Sequence, residues 1–265
     1  MHALLNVAVM AARRAGDTLI RKMKNLEKLH IEEKGYNDYV SDADKAAEQA
    51  VIATVQKHYP DHAFLAEESG VSGESDHIWI IDPLDGTTNY LHGFPVFAVS
   101  IGVQIKGRME HAVVYDPMRQ ELFTASRGDG AQLDGHRIRV SGQKQLNRAL
   151  VGTGFPFRQI DQDITPYMNM LTKVIRNTSG VRRPGAAALD LCYVAAGRLD
   201  AFFETGLAPW DIAAGSLIIR EAGGIISGLD GAETYMDTGS VLCGTPKIYA
   251  DLAKLCSAEL KALTP

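Results

Sequence analysis

The segment Trp79 to Asn89, with the sequence WIIDPLDGTTN, constrains the fold more than any other part of the chain. The residues Ile78 to Ile81 show no polar alternation, which predicts a strand that is buried on both faces. Because two aspartates follow this run directly, we expect Asp82 and Asp85 to emerge together at the strand end. Pro83 is expected to stop the strand.

These two carboxylates predict a site for a metal ion and a phosphate group. Two unpaired buried carboxylates would repel each other and be costly to desolvate, and a divalent cation between them is the simplest remedy. Gly86 permits close backbone approach, and a helix that starts near Thr87 would favour an anion with its N–H groups. Helix capping and turn formation are the structural alternative.

The composition limits the classes of partner. The chain has 265 residues, 46% of them hydrophobic, and a net charge of −5, which argues against indiscriminate binding to nucleic acid or to an anionic membrane. The three scattered cysteines, Cys192, Cys243 and Cys256, are typical of reduced thiols. Since no apolar run reaches membrane-spanning length, we expect a soluble, cytoplasmic protein. The acidic charge balance argues against direct binding to nucleic acid.

The order of predicted elements indicates layers of helices and sheets. An amphipathic helix opens the chain and ends before Glu27, and a second helix spans Ala43 to His58 with Ser41 or Asp42 as its cap. Between Phe97 and Val140, turn signals separate strand-like runs, which predicts an antiparallel meander.

The last third of the chain is predicted to alternate helix and strand. We expect a helix over Ala186 to Ala196, a strand over Asp200 to Phe203, and a helix from Asp211 to Ala222. The glycine pair of Gly152-Thr153-Gly154 lacks the rest of a dinucleotide fingerprint, so a turn or a tight packing site is expected there.

Four acidic residues, Glu67, Asp82, Asp85 and Asp211, lie where predicted elements end or begin. All four are hard oxygen ligands without a histidine or cysteine cluster beside them, so Mg²⁺ is preferred over Zn²⁺. Two Mg²⁺ ions roughly 3.5–4 Å apart could bridge a phosphate and activate a water for hydrolysis of a phosphate ester. Taken singly, Glu67 and Asp211 would more often be caps or surface charges.

Three signatures together carry a resemblance to a known family: Ala66 to Gly70 (AEESG), Trp79 to Asn89, and Pro209 to Gly215 (PWDIAAG). In their order and spacing they resemble the inositol monophosphatase family, and most closely its bacterial SuhB-type branch. The resemblance covers essentially the whole chain. It implies an α+β layered fold, an α-β-α-β-α five-layer sandwich, formed by one domain over 1–265 with approximate halves 1–145 and 146–265.

The resemblance also implies residue roles. Two or three Mg²⁺ ions are expected to be bound by Glu67, Asp82, the backbone carbonyl of Leu84, Asp85 and Asp211. Gly86 and Thr87 would hold the phosphate. Glu67, Asp44 and Thr87 are the expected catalytic residues, with Asp44 helping to orient the attacking water through the threonine hydroxyl.

The implied substrate contacts are Gly185, Ala187 and Glu204 at the inositol ring, together with Asp211. Ala186 departs from the family, because a threonine or serine hydroxyl is common there, so at most one hydrogen bond to the substrate is expected to be lost. The loop with Lys34 and Asp38 aligns with the family's mobile segment only after a gap, so the roles of these two residues stay open.

The resulting hypothesis is a Mg²⁺-dependent, lithium-sensitive phosphomonoesterase that hydrolyses inositol 1-phosphate and related polyol monophosphates, and that is a homodimer as the family implies. One alternative is a SuhB-like, non-catalytic role as a protein partner of transcription factors or RNA polymerase in ribosomal RNA antitermination. A small basic patch, Arg176, Arg182 and Arg183, is a surface or dimer contact in this interpretation. A further alternative is a phosphatase for fructose 1,6-bisphosphate or 3′-phosphoadenosine 5′-phosphate.

Overall fold

The computed structural model describes residues 2–35, 38–156 and 163–263. The helices in these ranges are α1 (Ala3–Met23), α2 (Asp42–His58), α3 (Thr87–Leu91), α4 (Thr165–Asn177), α5 (Ala187–Ala195), α6 (Pro209–Glu221), α7 (Tyr235–Thr238), α8 (Pro246–Leu255) and α9 (Ser257–Leu263). The strands are β1 (Ile31–Gly35), β2 (Asp38–Ser41), β3 (Ala63–Ala66), β4 (Gly70–Ser72), β5 (His77–Asp85), β6 (Ala98–Ile105), β7 (Arg108–Asp116), β8 (Glu121–Ser126), β9 (Gly130–Leu133), β10 (His136–Arg137), β11 (Leu150–Thr153), β12 (Gly180–Arg182), β13 (Ala201–Glu204), β14 (Ile225–Ser227) and β15 (Val241–Gly244).

Two mixed sheets organise the chain. The larger has eight strands in the order β10-β9-β8-β7-β6-β5-β3-β4, and the smaller has five in the order β12-β11-β13-β15-β14. Strands β6 to β10 pair antiparallel with their neighbours, which confirms the predicted meander, whereas β3 runs parallel to β5. In the smaller sheet, β11 runs parallel to both β12 and β13. Strands β1 and β2 pair only with each other among the described strands.

Helices cover the faces of both sheets. Helices α1 and α2 pack on one face of the larger sheet, and α5 and α6 lie between the two sheets. Helix α4 shares a third core with α8 and α9 on the outer face of the smaller sheet. This arrangement confirms the predicted α-β-α-β-α sandwich. Helix α6 also contacts β5, β6 and β7 of the first half, and the single domain over 1–265 stays a prediction.

The first two helices form for reasons that are visible in the sequence. In α1 the alanines and leucines at helical spacing are buried, including Ala8, Ala12 and Leu19, so one face lies against the sheet. At the start of α2, Ser41 Oγ accepts the Ala43 N–H at 3.1 Å and the Ser41 N–H donates to Asp44 Oδ2 at 2.8 Å. This reciprocal capping identifies Ser41 as the cap.

The prediction that Pro83 stops the strand is wrong, because β5 continues to Asp85. Asp82 pairs with Ser100 and Asp85 pairs with Ala98, so β5 contains one more residue than β6 between these pairs. Proline is tolerated in such a bulge because its missing N–H is not needed for pairing. Residues three apart on a regular strand face opposite sides, and the extra residue returns both carboxylates to one side.

Helix α6 begins at Pro209, two residues before the predicted start at Asp211. Proline suits the first turn of a helix because its N–H would lack an intrahelical partner there. Asp211 is therefore the third helical residue, and its Oδ2 accepts the Ala208 N–H at 2.7 Å. This bond fixes the carboxylate at the helix start.

The structure describes the state of the three cysteines and the apolar character of the helices. The three cysteines are buried and carry free thiols, with Cys192 between the two sheets. Within the described residues, no helix combines the length and the apolar character that crossing a membrane requires.

The close contact of α5 with α6 gives a test of the fold. A Cβ added at Gly215 would lie 2.5 Å from Leu191 Cδ1 and 2.6 Å from Leu191 Cβ. Although alanine favours helices, we expect Gly215→Ala to lower the free energy of unfolding by about 1–3 kcal/mol through overpacking. Urea denaturation of Gly215→Ala measures this change. Gly142→Ala, which adds its Cβ in open space, is the control and should change stability by less than about 0.5 kcal/mol. Equal denaturation midpoints for Gly215→Ala and the parent protein would contradict the packing argument.

Candidate active site

Three buried aspartates from two elements meet at the end of β5. Asp82 and Asp85 flank the bulge of β5, and Asp211 lies in the first turn of α6. Each offers one carboxylate oxygen, and these three oxygens all lie within 4.8 Å of one another. The three side chains are 1%, 7% and 7% exposed, respectively. The structure therefore brings together three of the predicted metal ligands.

Backbone N–H groups hold these carboxylates in place. Asp82 Oδ1 accepts the Leu84 N–H at 2.9 Å. The two oxygens of Asp85 accept the Ala187 and Ala188 N–H groups, at 3.2 and 2.8 Å, which belong to the first turn of α5. A carboxylate oxygen has more than one acceptor lone pair, so these bonds leave capacity for a further ligand.

Burial and the neighbouring carboxylates raise the pKa values of the acidic residues at the site. Burial, followed by the nearby Asp211 carboxylate, raises the pKa of Asp85 to about 8. Burial also raises the pKa of Glu67 to about 7, against the opposing effect of the Lys34 ammonium. The pKa of Asp82 is raised well above its usual range by burial and then by Glu67. Crowded, buried, hard oxygen donors fit a divalent cation such as Mg²⁺.

Lys34 contacts the acidic residues at the edge of this cluster. Its Nζ lies 2.8 Å from Glu68 Oε1 and 3.4 Å from Glu67 Oε1. Lys34, which belongs to the β1–β2 hairpin, therefore lies at the site. The gapped alignment left its role open. Asp38 begins β2, and its side chain lies outside the described residues.

The predicted contact between Asp44 and Thr87 is present. Thr87 Oγ1 lies 3.0 Å from Asp44 Oδ1 and 3.0 Å from the Leu84 carbonyl oxygen. Asp44 is buried, and its Oδ2 accepts both the N–H and the hydroxyl of Ser41 at 2.8 and 2.7 Å. Because a threonine hydroxyl has one hydrogen, it donates to Asp44 or to Leu84 at a given moment. The catalytic roles of Asp44 and Thr87 stay predictions.

Two glycines allow the loops around the site to approach each other. Gly86 has φ 92°, and an added Cβ would lie 3.0 Å from the Val96 carbonyl oxygen. Gly185 has φ 89°, so a side chain at either position would be strained. Asn89 joins the two loops, since its Nδ2 donates to Val96 O at 2.8 Å and to Pro184 O at 2.9 Å. Its position at the end of the aspartate motif was the only sequence signal for this role.

A cleft of about 580 Å³ opens over the aspartates. The predicted site residues that line it are Glu67, Asp82, Leu84, Asp85, Gly86, Thr87, Gly185, Ala187, Glu204 and Asp211. Asp44 lies behind Thr87 instead. The cleft also contains Tyr39, Phe155 and Arg183, which sequence reasoning did not assign to it. Arg183, predicted as a surface or dimer contact, stacks over the Phe155 ring at 5.4 Å from its centroid.

Ala186 does not line the cleft. It is 1% exposed and precedes α5 as its N-cap residue without a side-chain cap. Its Cβ would lie 3.3 Å from a Cβ placed at Gly86. A serine or threonine hydroxyl at this N-cap position would cap the helix, so Ala186 leaves α5 without a side-chain cap. The effect of Ala186 on substrate affinity stays a prediction.

Comparison with known proteins gives consistent results over nearly the whole chain. The profile of the inositol monophosphatase family matches residues 1–261. A protein named Nus factor SuhB from Pseudomonas aeruginosa is 52% identical over 258 residues, which cover 95% of each chain. The crystal structure of the extragenic suppressor protein SuhB from Bartonella henselae has a TM-score of 0.93 at 42% identity, covering 96% of this chain and 98% of that one. The structure of inositol monophosphatase from Anabaena has a TM-score of 0.86 at 37% identity, covering 96% and 95%.

The layered fold is the fold of inositol monophosphatases, and the buried carboxylate cluster could hold a metal ion. The chain belongs to the inositol monophosphatase family. This confirms the resemblance that the three sequence signatures carried.

The raised carboxyl pKa values predict how stability depends on pH without metal. In the unfolded chain these groups lose their protons near pH 4, whereas in the folded protein they keep them up to about 7 for Glu67 and about 8 for Asp85. The free energy of unfolding should therefore fall as the pH rises from about 4 to about 8, and it should level off at higher pH, where both states have lost these protons. Thermal unfolding in a chelator measures this fall.

Added Mg²⁺ should remove most of that fall, because a cation bound by the charged carboxylates is linked to their deprotonation. The matched variant Asp85→Asn should show a smaller fall in the chelator than the parent protein. If the chelated parent protein is equally stable at both ends of the range, the carboxylates are not crowded as described.

Proposed function

We propose that this chain combines two functions, a role as a protein partner in ribosomal RNA transcription antitermination and a Mg²⁺-dependent phosphomonoesterase activity. The comparisons favour the partner role over the enzymatic hypothesis, because relatives that are about half identical carry the name Nus factor SuhB. The geometry of the site favours the enzymatic activity. Both functions are testable on the same purified protein.

The observation that carries the enzymatic proposal is the cluster of three buried aspartate oxygens within 4.8 Å of one another, in a cleft beside Gly86 and Thr87. Glu67, Asp82, the Leu84 carbonyl, Asp85 and Asp211 are the residues that we propose to hold Mg²⁺. When bound, the ions would neutralise phosphate charge and lower the pKa of water.

The chain's own residues would orient the reactants. Gly86 lacks a side chain, so a phosphate can approach the backbone there. Thr87, when it donates its hydroxyl hydrogen to Asp44, presents its oxygen lone pairs as acceptors for a water. Ser41 holds Asp44 through two hydrogen bonds. The pair would thereby fix the direction of the water relative to the phosphate.

The proposed substrates are inositol 1-phosphate and related polyol monophosphates. Gly185, Ala187 and Glu204 line the part of the cleft beside the aspartates, where a polyol ring attached to the phosphate would lie. The Glu204 carboxylate can accept hydrogen bonds from ring hydroxyls, which distinguishes a polyol from a simple ester. Phosphatase activity on fructose 1,6-bisphosphate or 3′-phosphoadenosine 5′-phosphate is the alternative within this fold.

Asp82→Asn tests the enzymatic proposal. Because the substitution removes one charged ligand, we expect turnover of inositol 1-phosphate to fall by about 100-fold or more with the fold intact. Phosphate release is measured on inositol 1-phosphate, glycerol 2-phosphate, fructose 1,6-bisphosphate and 3′-phosphoadenosine 5′-phosphate, with Mg²⁺ titrated and lithium added. Asp129→Asn, at an exposed aspartate in the β8–β9 turn, is the control. Near-normal activity in Asp82→Asn would refute the metal assignment.

The partner proposal predicts that a substitution can abolish catalysis without weakening binding to the protein partner. Asp82 is buried, so its replacement by asparagine should leave the protein surface unchanged. We expect Asp82→Asn and the parent protein to bind purified RNA polymerase antitermination complexes equally, as measured by co-elution in size-exclusion chromatography. The same experiment tests the proposed homodimer in the absence of other proteins. Failure of the parent protein to join these complexes would count against the partner role.

A further inference from the structure

The segment Gly152-Thr153-Gly154 is unused by the proposed function, yet its end lies beside a proposed substrate contact. Strand β11 ends at Thr153 and runs parallel to β13, with Thr153 opposite Phe203. The next residue on each strand is therefore Gly154 and Glu204. Gly154 is buried, whereas Glu204 is partly exposed and lines the cleft.

The space normally filled by a side chain at Gly154 is occupied by Glu204. A Cβ added at Gly154 would overlap sterically with the carboxylate carbon and both carboxylate oxygens of Glu204. Gly154 is not among the residues with positive φ, so its backbone would accept an L-residue. Glycine is required here because of the neighbouring carboxylate and not because of its torsion angles.

A buried pair of hydroxyl groups holds the two strand ends together. The Tyr167 hydroxyl from α4 bonds to the Gly154 carbonyl oxygen and lies 2.5 Å from Thr153 Oγ1. Thr153 Oγ1 also lies 2.9 Å from the Phe203 carbonyl oxygen, and because the two hydroxyls have one hydrogen each, they make two of these three hydrogen bonds at a given moment. Both hydroxyl side chains are 1% exposed. Through these bonds, α4 fixes the backbone at Gly154 and at the residue before Glu204.

We propose that Gly154, Thr153 and Tyr167 are positioning residues that hold the Glu204 carboxylate against the cleft and thereby set the preference for a polyol ring. The proposal rests on the proposed phosphatase function. Glycine supplies the space for the carboxylate, and the two hydroxyls fix the strand ends on either side of it. A carboxylate held in this way loses little further freedom when a ring hydroxyl binds, so its contact contributes more fully to affinity.

Gly154→Ala is the central test. Its methyl group displaces the Glu204 carboxylate, so we expect the ratio of kcat/KM for inositol 1-phosphate to kcat/KM for glycerol 2-phosphate to fall by about 10-fold or more. The loss should appear mainly as a higher KM for inositol 1-phosphate, because a contact made in both the bound substrate and the transition state is lost.

Gly152→Ala is the matched control on the same strand. Its added Cβ would lie 2.8 Å from Leu199 Cδ1 and 3.1 Å from Phe202 Cδ2, away from Glu204. We expect lower stability of Gly152→Ala with an unchanged substrate ratio. A fall in the ratio for Gly152→Ala as large as that for Gly154→Ala would overturn the proposal, because general disturbance of β11 would then suffice.

A double-mutant cycle shows whether Gly154 acts through Glu204. In the Glu204→Ala background, the substitution Gly154→Ala should have no further effect on the substrate ratio. An equal effect in both backgrounds overturns the proposal. Tyr167→Phe adds no atoms and removes one hydroxyl, so it should lower the ratio in the same direction by a smaller factor even if Gly154→Ala does not fold. An unchanged ratio in Tyr167→Phe would remove the hydroxyl pair from the proposal.

Failure of the proposed function is distinguishable from failure of this inference. If the parent protein hydrolyses none of the four phosphate esters, the enzymatic proposal fails. Crystal structures of the parent protein and Gly154→Ala then decide the positioning claim alone. A displacement of the Glu204 carboxylate by about 1 Å or more supports the claim, since shifts of this size matter at binding sites, and an unmoved carboxylate refutes it.

Discussion

Two hydrogen bonds between Asp85 and the start of α5 link the two halves of the molecule. Asp85 belongs to the larger sheet, and its two oxygens accept N–H groups of the helix that separates this sheet from the smaller one. The positive end of the helix dipole favours a charge that burial disfavours, so the helix partly offsets the cost of burying the carboxylate. The same bonds place Ala187 and the preceding loop, with Gly185, beside the aspartates. The part of the cleft that we propose to bind the substrate is therefore positioned by a proposed metal ligand.

The local sequence predicted an element correctly where the formation of that element depends mainly on its own residues. The amphipathic spacing of α1 and the cap at Ser41 each identify a helix without knowledge of its neighbours. The aspartate motif likewise predicted the centre of the site, because burial and charge are properties of the segment itself. The continuation of β5 through Pro83 could not be predicted in this way, since the bulge is defined by pairing with β6, which follows later in the chain.

Long-range contacts account for the other differences. Lys34 reaches Glu67 across 33 residues, and Gly154 meets Glu204 only because β11 and β13 are neighbours in the smaller sheet. Arg183 is exposed, as expected for a surface residue, and it also lines the cleft beside Phe155, which its charge did not predict. In each case the spacing along the sequence carries no information about the distance in space, which depends on strand order.

The bulge in β5 makes chain length, as much as residue identity, part of the site. Strand residues alternate between faces, so the parity of the count from Asp82 to Asp85 decides on which side of the sheet the second carboxylate lies. The extra residue of the bulge compensates for the odd spacing, because three steps along β5 match two steps along β6. Pro83 cannot donate a hydrogen bond to the ladder, and it lies where the pairing with β6 is interrupted. The shared orientation of the two carboxylates therefore depends on the bulge as well as on the identity of the two residues.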